Sequence, residues 1–339
     1  MVQEGGAAVT GHDLVVIGGS AGSLVALERI LAALPADLPA TVLIVTHLPP
    51  ARPSTIAQTL SRHCALPVEA AADGAMIRPG TVLVASPDRH LLVIDGRVQL
   101  GIGPRENLAR PAIDPLFRSA AIMAGARTIG VLLSGMLDDG AAGLAAIRRC
   151  GGMVVVQDPG DADYDEMPRN AIATGFVDHV VPAAELGSVI VRLTGEPAGV
   201  ARAVPPDLAI EVDIALGGPS NPDRIAQIGD VVTMTCLNCS GVLSEVKDAQ
   251  PLRYRCQTGH GYTAKALEAL HDNAVDDAFR VALRIMMERT ELVTRMQQEA
   301  IRAGRAAVAE MYGRRAQEYG EHADTIQQAI VKRFRPQSG

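Results

Sequence analysis

The stretch Asp13–Ser23, DLVVIGGSAGS, carries a short apolar run into a glycine-rich turn that holds a serine. The apolar run from Asp13 to Ile17 predicts a buried β-strand, and the apolar spacing from Leu24 to Leu34 predicts a helix directly behind it. Between them, Gly18-Gly19-Ser20-Ala21-Gly22 fits the G-x-S-x-G pattern of a nucleophile elbow. Such a turn needs backbone angles that side chains forbid, which glycine supplies. A hydroxyl held there projects from the sheet edge, and the N–H groups of the helix start can face an oxyanion. A glycine-rich strand-to-helix turn also serves as a phosphate-binding loop, so this stretch alone leaves two chemistries open.

The next apolar run, Thr41 to Thr46, predicts a second parallel strand and ends in His47. A dinucleotide fold places Asp or Glu there to hold ribose hydroxyls; here the position offers a base. A third run, Thr128 to Ser134, leads into Gly135-Met136-Leu137-Asp138-Asp139-Gly140 and a further helix. Ser20, His47 and one Asp of the 138/139 pair therefore fall just past the carboxyl ends of predicted parallel strands, where open α/β sheets gather their ligand sites. Nucleophilic catalysis needs this set: His removes the serine proton, and a buried Asp fixes the imidazole and stabilises its cation. The expected fold is a doubly wound, mostly parallel α/β sheet. The order Ser, His, Asp differs from the Ser, Asp, His of α/β-hydrolases and disfavours that fold. Each residue also has a bland reading: Ser20 as a helix cap, His47 as a turn residue before Pro49-Pro50, Asp139 as an N-cap ahead of Ala141.

Six blocks, GGSAGS, THLPP, SPDRHLLV, RPAIDPLFRSAA, LLSGMLDDGAAGL and MPRNAIATG, occur in the order seen in chemotaxis protein-glutamate methylesterases, the CheB family. From about Leu14 to Thr194 the sequence resembles that family's catalytic domain. The resemblance implies a Ser-His-Asp hydrolase that needs no catalytic cofactor. Its substrates would be γ-glutamyl methyl esters on the cytoplasmic helices of methyl-accepting chemotaxis receptors. Methanol is released, and deamidation of receptor glutamines is a related activity. The resemblance puts the nucleophile on Ser20, the base on His47, the orienting acid on Asp139 and an oxyanion-hole N–H on Met136. Three positions depart from the pattern: Ala21 stands for a frequent Thr, Ser23 for Gly, and Asp138 for a common Asn. His90, Arg110, Asp114 and Arg118 lie in the same blocks, as ion pairs or helix starts, or as substrate contacts. Two other readings stay open: a hydrolase on this scaffold serving a pathway outside chemotaxis, and a catalytically silent binding module. Only about a dozen residues precede the first strand, too few for the family's typical receiver domain, so control by phosphorylation in cis is not expected.

Composition narrows the partners. Aromatic residues make up 3% of the chain and Trp is absent, so base-stacking platforms are not expected. A net charge of −7 argues against nucleic acid and anionic membranes. No stretch approaches the roughly 20 apolar residues of a membrane helix, and the start has neither basic region nor apolar core, so a cytoplasmic protein is expected.

Cys64 and Cys150 stand alone, whereas Cys236, Cys239, Cys256 and His260 follow a C-x2-C-x16-C-x3-H spacing. That spacing resembles a zinc ribbon holding a structural zinc with no open position, the alternatives being a redox pair or coincidence. The expected organisation is a disordered N-terminus over 1–12, a catalytic domain over 13–195, a Pro/Gly-rich linker over 196–230, a ribbon-like module over 231–262 and a helical region over 263–334. In the last, Val275, Phe279, Ala282, Met286, Val293 and Met296 keep a 4-3 spacing interrupted by Arg289. This suits a helical hairpin, or self-association or partner docking through the helices.

Overall fold

The computed structural model describes residues 11–47, 54–200 and 202–333. Its elements begin with β1 (Leu14–Gly19), α1 (Ser23–Ala33), β2 (Thr41–Thr46), α2 (Ile56–Ser61), β3 (Val68–Ala70), β4 (Thr81–Val84), β5 (His90–Ile94) and β6 (Arg97–Gly101). There follow α3 (Ile113–Ala124), β7 (Thr128–Leu132), α4 (Ala141–Arg149), β8 (Met153–Gln157), α5 (Glu166–Ala173), β9 (His179–Val181) and α6 (Ala183–Thr194). Beyond them lie α7 (Pro206–Leu216), α8 (Pro222–Ile225), β10 (Gly229–Thr235), β11 (Val242–Val246), β12 (Arg253–Cys256) and β13 (Gly261–Thr263). Two helices, α9 (Ala264–Arg302) and α10 (Ala306–Arg333), complete the described chain, which divides into two compact units after Leu267.

Every residue of β1 and β2 is buried, so both faces of the sheet need cover. Seven parallel strands run in the order β3-β4-β2-β1-β7-β8-β9. Alternation along the strands sorts the side chains into two cores. Leu14, Val16, Leu43 and Val45 pack with Leu116 and Phe117 of α3 and Leu144 of α4. Val15, Ile17, Val42 and Ile44 pack with Leu27 and Ile30 of α1 and Leu186 and Ile190 of α6. The chain leaves β1 for β2 on one side and later returns to β7 on the other, so the sheet's switch point lies beside β1. The expected doubly wound α/β fold is what the chain adopts.

Two boundaries differ from expectation. The N-terminal stretch read as disordered lies outside the described residues as far as residue 10, but Gly11 bridges Pro197 and His12 is buried. The segment 196–230 is no simple linker either. Pro205 and Pro206 open helix α7, because proline suits the first turn where its missing N–H costs nothing. Val212 and Ala215 of α7 close over Leu92 of the β5–β6 hairpin, while Ile214 packs with Ile225 and Ile228. Gly103 donates to the Ala215 carbonyl at 3.1 Å, an approach that a side chain at Gly103 would block.

After α8, strands β10 to β13 form a four-stranded antiparallel sheet within the first unit. The second unit is a helical hairpin. The Arg289 guanidinium of α9 stacks 4.1 Å from the Tyr319 ring of α10 and donates to its hydroxyl at 2.7 Å. The residue that interrupts the apolar spacing is thus a hairpin contact. No described helix is long and apolar enough to cross a membrane.

Burial of α7 makes a stability difference. Ile214→Ala is expected to lower unfolding free energy by about 2–5 kcal/mol in urea titration, as for other fully buried aliphatic truncations. A change under about 0.5 kcal/mol, typical of surface sites, would return the segment to a linker.

Candidate active site

Strands β2, β1 and β7 are neighbours, and each delivers one side chain past its carboxyl end. Ser20 follows β1, where its N–H donates to the Ser134 carbonyl at 2.9 Å and ties the turn to the end of β7. Gly22 completes the turn at φ +75°, where a Cβ would also lie 2.6 Å from Cβ of Asp163. The Ser20 hydroxyl lies 2.9 Å from Nδ1 of His47, and Nε2 of His47 lies 2.8 Å from Oδ2 of Asp139. With the imidazole proton on Nε2 and donated to Asp139, Nδ1 is free to accept the serine proton. Helix α1 has Gly22 at its N-cap and no side-chain cap, so Ser20 does not act as one.

Asp139 is buried and accepts five donors. Besides His47 these are Nδ2 of Asn107 at 2.8 Å and the backbone N–H groups of Ile113 at 2.6 Å, Gly140 at 3.0 Å and Asp114 at 3.3 Å. Burial pushes its pKa up, but His47, the Ile113 N–H and Asn107 outweigh burial and hold it below the usual carboxylate range. Asp114 lies beside it and accepts from Gly140, Gly143 and Asn107, which favours its anion. Burial first and Asp139 second prevail, pushing Asp114 up to about 7. Ser20, His47 and Asp139 open on a cavity of about 430 Å³ that Arg105, Asn107, Leu108, Arg110, Met136 and Leu137 also line. Met136 is exposed there, and Gly135 brings it close: a Cβ at Gly135 would lie 2.8 Å from Cβ of Ser20 and 2.0 Å from Sδ of Met167.

The family model described as CheB methylesterase matches residues 15–190. The chain belongs to the CheB methylesterase family. A protein-glutamate methylesterase/protein-glutamine glutaminase of Anaeromyxobacter dehalogenans is 40% identical over 188 residues, 54% of this chain and 52% of that protein. One from Geobacter metallireducens is 42% identical over 179 residues, 52% of this chain and 49% of that protein. The chain thus spans about half the length of these relatives. The crystal structure of the Thermotoga maritima CheB methylesterase catalytic domain superposes with a TM-score of 0.52 at 33% identity, covering 54% of this chain and 99% of that one.

Of the other residues in the CheB-like blocks, His90, Asp114 and Arg118 are buried and do not line the cavity. His90 is buried, donating from Nε2 to the Pro104 carbonyl and accepting the Ala112 N–H on Nδ1, and burial lowers its pKa. Arg118 is buried in an ion pair with Glu106. Arg110 alone reaches the cavity, held by Asp88 at 2.8 Å. Met167-Pro168-Arg169 lies in the first turn of α5, just after Glu166. Sequence reading missed Asn107, whose amide bridges Asp139 and Asp114. A lone Asn inside GPRENLAR has no periodic or motif cue.

In the antiparallel sheet, the ligating atoms of Cys236, Cys239, Cys256 and His260 all lie within 4.8 Å of one another. The Cys239 and Cys256 sulfurs are 3.6 Å apart, close to the roughly 3.8 Å edge of a tetrahedron with zinc–sulfur bonds of about 2.3 Å. Burial alone would raise the Cys239 thiol, but the Thr258 hydroxyl and the Gly241 backbone bring it down to about 6, favouring the thiolate that binds metal.

Asp138, standing where CheB proteins commonly have Asn, is buried and accepts from the Thr263 hydroxyl. Burial raises its pKa to about 6. The unfolded chain therefore releases this proton first, and between about pH 4 and 6 rising pH removes stability. Asp138→Asn is expected to raise Tm at pH 8 and to leave it near the wild-type value at pH 4. Equal Tm changes at both pH values, in thermal unfolding followed by circular dichroism, would show that the Asp138 charge costs nothing.

Proposed function

We propose that this chain is a protein-glutamate methylesterase that acts on methyl-accepting chemotaxis receptors in the cytoplasm. One observation carries the reading: the unbroken chain of contacts from Ser20 through His47 to a buried, ionised Asp139 at the sheet's switch point. Ser20 Oγ attacks the ester carbonyl of a methylated glutamate while Nδ1 of His47 takes its proton. The Met136 N–H receives the oxyanion. His47 then protonates the departing methoxide, which leaves as methanol. Water attacks the acyl-enzyme with His47 as base, which frees glutamate and restores Ser20. A receptor glutamine follows the same course with ammonia as leaving group, as the names of the relatives suggest. Arg105, exposed at the cavity rim, and Arg110 suit an acidic receptor helix.

The test is methanol release from methylated receptor, set beside turnover of small esters and labelling of Ser20 by a fluorophosphonate. Ser20→Ala and His47→Ala are each expected to lower kcat by about 10⁴-fold or more, and Asp139→Asn by somewhat less. Small-ester turnover without methanol release would place the hydrolase outside chemotaxis. An unlabelled Ser20 in folded protein would leave a silent binding module.

The cysteine cluster is assigned a structural zinc held by Cys236, Cys239, Cys256 and His260, in support of which stand four donors of suitable chemistry and spacing. Metal analysis of reduced protein is expected to give about one zinc per chain, and Cys239→Ser much less. Absence of zinc from reduced wild-type protein would overturn the assignment. Exposed Met287, Leu292 and Ile301 on the helical hairpin support a partner or a second copy docking there, which concentration-dependent sedimentation would read.

A further inference from the structure

Asn107 lies in a segment under strain. Asn107 at φ +47° and Leu108 at φ +68°, in a turn closed where the Ala109 N–H donates to the Glu106 carbonyl at 2.9 Å, both adopt the left-handed region, which asparagine visits readily but leucine occupies only where its surroundings hold it. The contacts that hold Asn107 come from the ribbon strand β13. The Asn107 N–H donates to the Gly261 carbonyl at 2.9 Å, and the Thr263 N–H donates to Oδ1 of Asn107 at 2.9 Å. The remaining end of the amide, Nδ2, donates to Asp139 at 2.8 Å and to Asp114 at 2.9 Å.

Neighbouring contacts draw the same two pieces together. Arg255 of β12 reaches Glu106 at 3.1 Å and Glu211 of α7 at 2.9 Å, while Arg118 of α3 pairs with Glu106 from the other side. The Thr263 hydroxyl donates to Asp138, the residue next to the triad acid. All these side chains are buried, so a loss on the ribbon side leaves unpaired polar groups rather than hydrated ones. The turn leading into β13 is itself bounded by Cys256 and His260, whose backbones meet where the Cys256 N–H donates to the His260 carbonyl at 3.0 Å.

We propose that the ribbon seats the triad acid: β13 holds Asn107, Asn107 holds Asp139, and the integrity of the Cys/His cluster at the base of β13 thereby governs turnover at Ser20. Asn107 and Thr263 are positioning residues. The Asn107 amide occupies Oδ1 of Asp139 and leaves Oδ2 aimed at His47. It also stands between two carboxyl groups, Asp139 and Asp114, that repel each other when it is removed. The inference rests on the reading of Ser20, His47 and Asp139 as a hydrolytic triad.

The experiment uses the full chain as wild type, Asn107→Ala, Cys239→Ser and the double variant, with two readouts. One is kcat and KM on a small ester. The other is the deshielded NMR signal of the His47 Nε2 proton bonded to Asp139, recorded also in the Ser20→Ala background. Asn107→Ala is expected to lower kcat on the order of 10²-fold with KM nearly unchanged, as displacement of a catalytic group by about 1 Å does, and to broaden or shift the proton signal. Cys239→Ser, at an exposed position in the antiparallel module, is expected to act in the same direction. The double variant should then be no worse than the more impaired single one, since both act through one chain of contacts. Wild-type kcat and proton signal in Cys239→Ser would overturn the inference, and so would additive losses in the double variant. If Asn107→Ala fails to fold, Cys239→Ser alone decides between these outcomes. If the wild type hydrolyses no ester and Ser20 takes no label, the proposed function fails, yet the proton signal still reads whether the ribbon holds Asp139.

Discussion

The rest of the site depends on a single buried carboxylate, Asp139. An ionised group in a protein interior is tolerated only when its oxygens are fully engaged, because desolvation otherwise drives it to the neutral form. Here the donors come from four places in the chain: the His47 ring, the Asn107 amide, the N–H groups that begin α3, and the Gly140 N–H ahead of α4. Each donor also fixes the direction of the carboxylate. Oδ2 faces the imidazole, the Nε2 proton is committed to it, and Nδ1 is left to meet the Ser20 hydroxyl. Orientation of the base is therefore a consequence of how a charge is kept in the interior.

The doubly wound sheet explains why this can happen at one edge. β1 sits between β2 and β7, and the chain departs from β1 in opposite directions, so a crevice opens at their carboxyl ends. Glycine permits the close approaches there. Gly22 turns the chain into α1, and Gly135 lets the end of β7 pass against Ser20. On the far side of Asp139, α3 approaches with its first N–H groups aimed at the carboxylate, a favourable end-on interaction. The antiparallel module adds a support from β13 through a buried network of arginine and glutamate. Loss of one partner from such a network would leave an uncompensated buried charge.

The proximity of Ser20, His47 and Asp139 was legible because each lies shortly past an apolar run. Ser20, His47 and Asp139 follow runs of five to seven apolar-rich residues, and parallel strands align such ends by construction. The grouping of Cys236, Cys239, Cys256 and His260 was legible for a similar reason, since their spacing is a short-range property of the chain. Asn107 was not legible. Its partners lie at residues 114, 139, 261 and 263, and nothing local distinguishes it from any loop asparagine. Helix α7 was hidden by its flanks: prolines and glycines at both ends suggested a linker, although Leu208, Val212 and Ala215 keep a helical spacing between them.

What the sequence by itself determined is the strands and helices that bring Ser20, His47 and Asp139 to one sheet edge, and the resemblance to the CheB family. Apolar periodicity and glycine placement act over a few residues and need no distant partner. Tertiary structure alone decided that the segment after Gly195 is part of the core and that strand β13 touches the loop beside Asp139. Those outcomes depend on desolvation and on hydrogen bonds between groups more than a hundred residues apart. Such energies exist only once the interior has closed around them.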